Sequence, residues 1–202
     1  TPGWVGITSS TNTFPAAVRV SGFARKIFPD AKIVFGGVHA TVFPDEALAV
    51  PTVDFVVRGE GESALLSLLR DEPPDSIPGL SFRGVDHVIH TPDREPLADL
   101  GALPLPAYHL LPMHLYRPAL GSHRRLPAIG IVISRGCPGR CTFCYGHHLG
   151  RVTRYRPVAS VIDEIRLLQK NWGIREVSFY DDTFTARRSF VVELCEAILA
   201  AK

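Results

Sequence analysis

The stretch "AIGIVISRGCPGRCTFCYG", residues 128–146, places three cysteines in one short loop directly after an apolar strand. Cys137, Cys141 and Cys144 have the spacing C-x3-C-x2-C, and Tyr145 follows the last of them. The 202 residues contain only four cysteines, which is too few for a disulfide scaffold at this length. Clustered cysteines of this kind predict a metal or cluster site in a reducing compartment, and we therefore expect a cytoplasmic protein.

Two kinds of metal site are compatible with this loop. Four thiolates close an iron–sulfur cluster and make an electron carrier, whereas three thiolates leave one iron free to bind a substrate or cofactor. Zinc is the alternative, because His147 or His148 would complete a tetrahedral Cys3His site. A structural zinc has little reason to lie at the end of a buried strand with an aromatic residue behind it. The residues therefore favour the iron–sulfur cluster, and the Cys3His zinc site remains the alternative.

Before residue 91 the sequence alternates apolar strands with helices. The strands are "WVGITS", "KIVFGG" and "DFVVRG". This alternation is typical of a doubly wound parallel sheet, so we predict an α/β, Rossmann-like domain over residues 1–90. The segment "GLSFRGVDHVIHT" adds a predicted hairpin that turns near Gly84 and Asp86. The first helix has an apolar stripe that we expect to face the sheet, formed by Ala16, Val20, Phe23, Ala24 and Ile27.

Residues 91–126 are rich in proline, which excludes both helix and central strand. We predict a linker there whose apolar residues lie against the flanking domains.

Over residues 127–202 the order is strand, cysteine loop, helix, strand, the acidic loop "DDTFT" and helix. This order resembles the start of a (β/α) barrel, in which chemistry lies on loops at the carboxyl ends of the strands. We therefore expect the cysteine loop and the acidic loop to be neighbours.

The fourth cysteine, Cys195, falls on the apolar stripe of the last predicted helix. We therefore predict a buried core thiol that takes no part in the metal site. The stripe is formed by Phe190, Val191, Leu194 and Ile198.

Charge and hydropathy exclude two classes of function. The formal net charge of +2 gives no global basic field, so no nucleic-acid partner is expected. No apolar run reaches the roughly 18 residues of a transmembrane helix.

Residue 1 is Thr, and only two strand–helix units follow residue 127, whereas a complete barrel has about eight. We interpret the chain as a fragment and expect it, alone, to bind iron weakly and to turn over no substrate.

The segment "RGCPGRCTFCY" resembles the signature of radical S-adenosylmethionine (SAM) enzymes, in which an aromatic residue follows C-x3-C-x2-C. The resemblance implies that Cys137, Cys141 and Cys144 hold a 4Fe-4S cluster and that Tyr145 lies against the adenine of SAM. In that family SAM chelates the open iron through its amino and carboxylate groups. One electron from the reduced cluster then cleaves SAM to a 5′-deoxyadenosyl radical.

The same family usually contacts the SAM amino group from the loop after the second barrel strand, which is "YDDTFT" here. The resemblance therefore makes Asp181 and Asp182 candidates for SAM binding, since a carboxylate suits an ammonium group in a partly dry site. The alternative is structural, because Asp182 or Thr183 before a helix is also typical of a helix cap. No residue is assigned a catalytic role.

The segments "VGITSST", "KIVFGGVHATVFPDEAL" and "DFVVRGEGE" resemble the cobalamin-binding domain that is often fused before a radical SAM barrel. The motif D-x-H-x-x-G, whose His is the lower ligand of cobalt in many such domains, does not occur in this sequence, so no residue is assigned as that ligand. The alternative is that the Gly pair at 36–37 forms only a tight turn and that a nearby Glu only begins a helix. The resemblance implies cobalamin contacts from Ser9, Ser10, Gly36, Gly37, His39, Gly59 and Glu60.

These resemblances imply an enzyme that uses a 4Fe-4S cluster, SAM and cobalamin. We expect methylation of an unactivated carbon or a ring-forming rearrangement of a small molecule, with electrons from a flavodoxin- or ferredoxin-type donor. The related methylthiotransferases are excluded, because their front domain supplies three more cysteines and residues 1–136 contain none. The alternative from another class is a non-catalytic module with a Cys3His structural zinc or an electron-carrying cluster.

Overall fold

The computed structural model describes residues 1–119, 121–145 and 150–201, and it divides into two compact units between Pro96 and Leu97. Each unit combines strands with helices, in agreement with the predicted α/β class. Within the described residues, no helix has both the length and the apolar character needed to cross a membrane.

The first unit contains a five-stranded sheet with the strands in sequence order. The strands β1, β2 and β3 are parallel, as predicted. The predicted hairpin is confirmed, since β4 and β5 pair with each other and extend the sheet in the antiparallel sense. The five strands are β1 (Trp4–Thr8), β2 (Lys32–Gly36), β3 (Phe55–Val57), β4 (Leu80–Arg83) and β5 (Val88–His90).

The helices of the first unit follow the parallel strands. The core lies on the central strands, where Ile33, Phe35 and Val56 are completely buried. The short helix that contains His39 was not predicted from the sequence. The four helices are α1 (Phe14–Ile27), α2 (Val38–Val42), α3 (Pro44–Ala49) and α4 (Glu62–Leu69).

The predicted inner face of α1 is wrong. The helix buries Phe14, Ala17 and Ser21, while most of the larger apolar side chains on the predicted stripe are exposed. Phe14 packs edge-on against Phe35, and Ser21 lies 2.7 Å from the Thr52 hydroxyl, so both ends of this face are fixed. The small residues allow close approach to the sheet. Of the predicted stripe, Val20, Phe23 and Ile27 are 51%, 62% and 67% exposed.

The described residues of the second unit form two short sheets and two long helices. Strands β6 (Ala128–Ile131) and β9 (Glu176–Phe179) are parallel neighbours, whereas β7 (Ser134–Arg135) and β8 (Arg154–Tyr155) form an antiparallel pair. Strand β8 was not predicted. The helices are α5 (Val158–Trp172), which ends at the left-handed Gly173, and α6 (Arg188–Ala200).

Most of the proline-rich stretch belongs to the second unit. Leu100 and Tyr108 are buried in that unit, and the Leu97 carbonyl accepts a hydrogen bond of 2.6 Å from Arg154 Nη1. Prolines exclude regular secondary structure, but a few buried side chains suffice to fix the path of this segment. It contains three short 3-10 turns, at Leu100–Ala102, Tyr108–Leu110 and Met113–Leu115.

The prediction that Cys195 is a core thiol is wrong, because its side chain is exposed. The buried face of α6 is centred on Phe190 and Leu194, with Ala197 packed beside them. Cys195 directly follows Leu194, and one residue turns a helix by about 100°, so its side chain points away from this face. Ile198 is also largely outside the core.

Candidate functional site

The loop that carries the three cysteines is closed at its base. Strands β7 and β8 pair Ser134 with Tyr155, and the Cys137 backbone N–H donates a 3.1 Å hydrogen bond to the Gly150 carbonyl. The chain therefore leaves the body of the second unit and returns to it at one place. We call this closure, formed by residues 134–137 and 150–155, the neck of the cysteine loop.

Gly136 makes this neck possible. Its φ is +91°, and a Cβ atom at this position would lie 2.4 Å from the Val152 carbonyl oxygen. Any other residue would therefore separate the two sides of the neck. Gly136 was not predicted as a functional residue from the sequence, although it stands directly before Cys137.

The first of the three cysteines belongs to the neck, and the other two follow in the loop that the neck closes. Cys137 is half-buried, whereas Cys141 and Cys144 are exposed and are linked by a 3.2 Å hydrogen bond from the Cys144 N–H to the Cys141 carbonyl. A Cβ atom at Gly139 would lie 3.3 Å from Cys137 Sγ and 3.8 Å from Cys141 Sγ. The glycine thus leaves the space between two thiols free of a side chain.

Two of the three cysteines, Cys141 and Cys144, line a cavity of about 510 Å³ together with Gly139, Arg140, Thr142 and Arg151. Among the described residues, no three Cys, His, Asp or Glu side chains are gathered closely enough to hold a metal ion. The zinc alternative involves His147 and His148, and these two residues lie outside the described part of the chain. Three sulfur donors on one loop are the ligand set of a cluster with an open iron.

The acidic loop after β9 meets the cysteine loop, as the barrel-like order predicts. Asp181 Oδ1 accepts hydrogen bonds from Ile133 N at 3.1 Å, from Ser134 N at 2.5 Å and from Ser134 Oγ at 2.6 Å. The other carboxylate oxygen, Oδ2, is buried and has no hydrogen-bond partner among the described residues. Asp181 therefore joins the two loops and still presents one unpaired acceptor.

The other residues of the acidic loop have different surroundings. Asp182 is exposed. Helix α6 begins only at Arg188, so the alternative that Asp182 or Thr183 caps this helix is wrong. Thr183 Oγ1 instead lies 3.4 Å from Cys137 Sγ, a contact that sequence analysis missed. At the end of the cysteine loop, Tyr145 is about half exposed.

A buried ion pair lies next to the neck of the cysteine loop and stabilises it. Arg156 donates its backbone N–H to the Ile133 carbonyl at 2.9 Å, and its guanidinium pairs with Glu164, which is only 1% exposed. The Tyr108 hydroxyl donates a 2.5 Å hydrogen bond to the same carboxylate. Burial, and then the bond to Glu164, raise the pKa of Tyr108 well above its usual range. The network connects the proline-rich stretch, the strand after the cysteine loop and α5.

The first unit has a separate cavity of about 380 Å³ at the carboxyl ends of its parallel strands. Ligands of open α/β sheets bind at this edge. Of the residues predicted to contact cobalamin, Gly36, Gly37 and Gly59 line the cavity, together with Gly6 and Gly61. Glycine backbone therefore supplies part of the wall, where a flat ligand can approach closely, and mostly apolar side chains supply the rest.

The remaining predicted cobalamin contacts lie outside this lining. Ser9 is buried, and Ser10 is exposed. His39 is only 3% exposed; its ring stacks on Phe14 at 3.9 Å, and its Nδ1 lies 3.3 Å from the Thr11 hydroxyl. Glu60 is half-buried between the two lining glycines 59 and 61. The structure thus brings three of the seven predicted contacts together in the cavity wall.

Two family models match the chain, one in each unit. The model of the B12 binding domain matches residues 1–69, and the model of the radical SAM superfamily matches residues 131–201. The chain therefore belongs to the radical SAM superfamily and carries a B12-binding domain in front of its radical SAM domain. Both resemblances predicted from the sequence are confirmed.

Several proteins are similar to the chain over nearly all of its length. An uncharacterized methyltransferase of Pyrococcus horikoshii is 34% identical, over 96% of this chain and 42% of that protein. The anaerobic magnesium-protoporphyrin IX monomethyl ester cyclase of Synechocystis is 29% identical, over 97% of this chain and 39% of that protein. The chain thus spans about two fifths of the length of these relatives.

A solved structure shares the fold. It is that of TsrM, a radical SAM methyltransferase from Kitasatospora setae, with cobalamin and a [4Fe-4S] cluster bound. It superposes on 99% of this chain and 41% of its own chain with a TM-score of 0.73, at 20% sequence identity.

Proposed function

We propose that this chain is the cofactor-binding part of a cobalamin-dependent radical SAM enzyme. The observation that carries the proposal is the meeting of the two loops in the second unit. Cys137 is fixed by Gly150 at the neck and contacts Thr183, while Asp181 holds Ser134. The three thiols would hold a cluster with an open iron, and the acidic loop bound against the cysteine loop supplies a place for a second, cationic ligand.

The residues present fit a 4Fe-4S cluster with three protein ligands, Cys137, Cys141 and Cys144. Gly139 leaves room between two of the thiols, and three thiolates leave one iron for SAM. When bound, the cluster supplies the electron that cleaves SAM, and cobalamin supplies a carrier for a methyl group or a redox partner. The chain's own residues hold and orient these groups.

Two residues are proposed to orient SAM. The unpaired Asp181 Oδ2 is a buried acceptor and suits the ammonium group, because a charge-assisted hydrogen bond is strong where water is excluded. Tyr145 at the end of the cysteine loop offers an aromatic face for the adenine. Asp182 is a second candidate for the ammonium group, but its exposure to water weakens any charge interaction.

The cavity of the first unit is proposed to hold part of cobalamin. Its glycine-lined wall suits the corrin or the nucleotide tail, since either needs close approach to the backbone. Ser9, Ser10, His39 and Glu60 lie on the segments next to this wall and stay predictions. We propose that residues 1–90 form the cobalamin module and that the radical SAM barrel begins near residue 127.

The reaction is proposed from the class of the relatives, which include methyltransferases and a cyclase. We propose methylation of an unactivated carbon or a ring-forming rearrangement of a small molecule. We propose a cytoplasmic location, because a cluster of three cysteines in one loop suits a reducing compartment, and a flavodoxin- or ferredoxin-type protein would donate the electron there.

Metal analysis of the anaerobically purified protein tests this proposal. We expect iron and inorganic sulfide in similar amounts, and 5′-deoxyadenosine after addition of dithionite and SAM to the full-length protein. Zinc without sulfide would contradict the proposal and would support the Cys3His alternative.

A further inference from the structure

The hydroxyl of Thr183 lies next to a proposed cluster ligand. Its Oγ1 is 3.4 Å from Cys137 Sγ, which is within hydrogen-bond reach of a sulfur atom. Cys137 follows the neck strand β7, and Thr183 lies in the turn after β9. The contact is thus a second connection between the two loops, separate from the one that Asp181 makes.

Neighbours on both sides fix the position of this hydroxyl. Two residues earlier, Asp181 is held by Ile133 and Ser134. One residue later, the Phe184 ring stacks on Phe179 with 5.1 Å between centroids. The Thr183 carbonyl also accepts a 3.1 Å hydrogen bond from the Ala186 N–H, which closes the turn. The β-branched side chain of threonine has few rotamers, so a fixed backbone here also fixes its hydroxyl.

The chemistry of the pair sets the direction of the hydrogen bond. A cysteine that binds iron is a thiolate and has no proton to donate, so the threonine hydroxyl is the donor. A hydrogen bond to a cluster sulfur stabilises the extra negative charge of the reduced cluster and therefore raises its reduction potential.

We propose that Thr183 is a positioning residue that donates a hydrogen bond to the Cys137 thiolate and raises the reduction potential of the cluster. The inference rests on the proposed function, because it requires a cluster on Cys137. Its role is to make the cluster easier to reduce by the external electron donor, while the three cysteines alone bind the iron.

The test is a redox titration of the full-length protein, reconstituted anaerobically with iron and sulfide and followed by electron paramagnetic resonance. Thr183→Val removes the hydroxyl at almost constant shape, and Thr183→Ser retains the hydroxyl. Thr185→Val is the matched control, because Thr185 is an exposed residue of the same loop. We expect a more negative midpoint potential for Thr183→Val alone, with the iron content of all four proteins equal.

The outcomes separate this inference from the proposed function. If the wild-type protein assembles a cluster but Thr183→Val has the same potential, the inference is wrong and the proposed function stands. If Thr183→Ser shifts the potential as much as Thr183→Val, the methyl packing matters and the hydrogen bond does not. If Thr183→Val loses the cluster while Thr183→Ser keeps it, the hydroxyl is needed for cluster assembly, and the inference that it only tunes the reduction potential is wrong. A wild-type protein that assembles no cluster would overturn both.

Discussion

The two proposed cofactor sites are built in opposite ways. The cysteine loop depends on side chains that are present. Its thiols offer ligands, and Asp181 and Thr183 connect it to the acidic loop after β9. The cavity of the first unit depends on positions without side chains, since glycines such as Gly6 and Gly36 form part of its wall and leave its space open. The difference teaches that the first site is destroyed by removing atoms and the second by adding them.

The largest effect is expected from the cysteines. Changing Cys137, Cys141 or Cys144 to Ala leaves a cluster with only two protein ligands, so each variant should lose most of its iron and all SAM cleavage. Iron analysis and chromatography for 5′-deoxyadenosine measure both. The matched control is Cys195→Ala, which removes an exposed thiol on α6 and should leave iron and cleavage unchanged. Iron lost from Cys195→Ala and kept by Cys141→Ala would show that the ligands are assigned wrongly.

A large effect on stability is expected from substitution of Glu164, the α5 residue that pairs with Arg156 next to the neck. Glu164→Ala removes the carboxylate that neutralises the largely buried Arg156 guanidinium, which should lower the free energy of unfolding by about 3–5 kcal/mol. Glu164→Gln retains an acceptor for the Tyr108 hydroxyl and should cost less. Denaturant unfolding of the two variants measures the difference. If Glu164→Ala lowers the free energy of unfolding by less than about 1 kcal/mol, the Arg156–Glu164 pair contributes no more than an exposed surface ion pair does.

Much of this arrangement could be predicted from local sequence signals. The three cysteines, the parallel strands and the meeting of the acidic loop with the cysteine loop all follow from short motifs placed at strand ends. The closure of the neck could not be predicted, because strand β8 has only two residues and no pattern of its own. Gly136 carried the signal, but a single glycine does not reveal which distant carbonyl approaches it.

Helix faces were the least predictable feature. Helix α1 has two faces that could pack on the sheet, and the structure buries the one with Phe14, Ala17 and Ser21, because the two small residues permit close packing. The more hydrophobic stripe with Phe23 was the natural choice from periodicity alone. Cys195 illustrates the same limit, since a shift of one position moves a side chain by about 100° around a helix.

The glycines of the first unit allow a sharper test of the comparison. A Cβ atom at Gly37 would lie 2.5 Å from Thr8 Oγ1, and its φ is +89°, so Gly37→Ala should destabilise the fold by about 1–3 kcal/mol. A Cβ atom at Gly6 meets only Val34, at 3.9 Å, so Gly6→Val should fold normally and fill the cavity. We expect Gly6→Val to lose cobalamin in an equilibrium binding assay while its thermal unfolding is unchanged. Full cobalamin retention by a folded Gly6→Val protein would place the ligand elsewhere.

A smaller effect is expected at Asp181. Asp181→Asn removes the negative charge that faces the proposed ammonium group, and the loss of one charge-assisted hydrogen bond should weaken SAM binding roughly 10- to 100-fold. Iron content should change little, since Asp181 is no cluster ligand. Asp182→Asn is the control, and its exposure predicts a weaker effect on SAM affinity. Isothermal titration with SAM under nitrogen compares the two, and a larger loss for Asp182→Asn would reverse their assignment.

The most direct test of the central claim is the electron paramagnetic resonance spectrum of the dithionite-reduced, full-length protein, recorded with and without SAM. A cluster held by three cysteines has an open iron, so we predict a reduced 4Fe-4S signal whose shape changes when SAM is added. A signal that SAM leaves unchanged would indicate a closed electron-transfer cluster. No iron–sulfur signal, together with bound zinc, would contradict the account altogether.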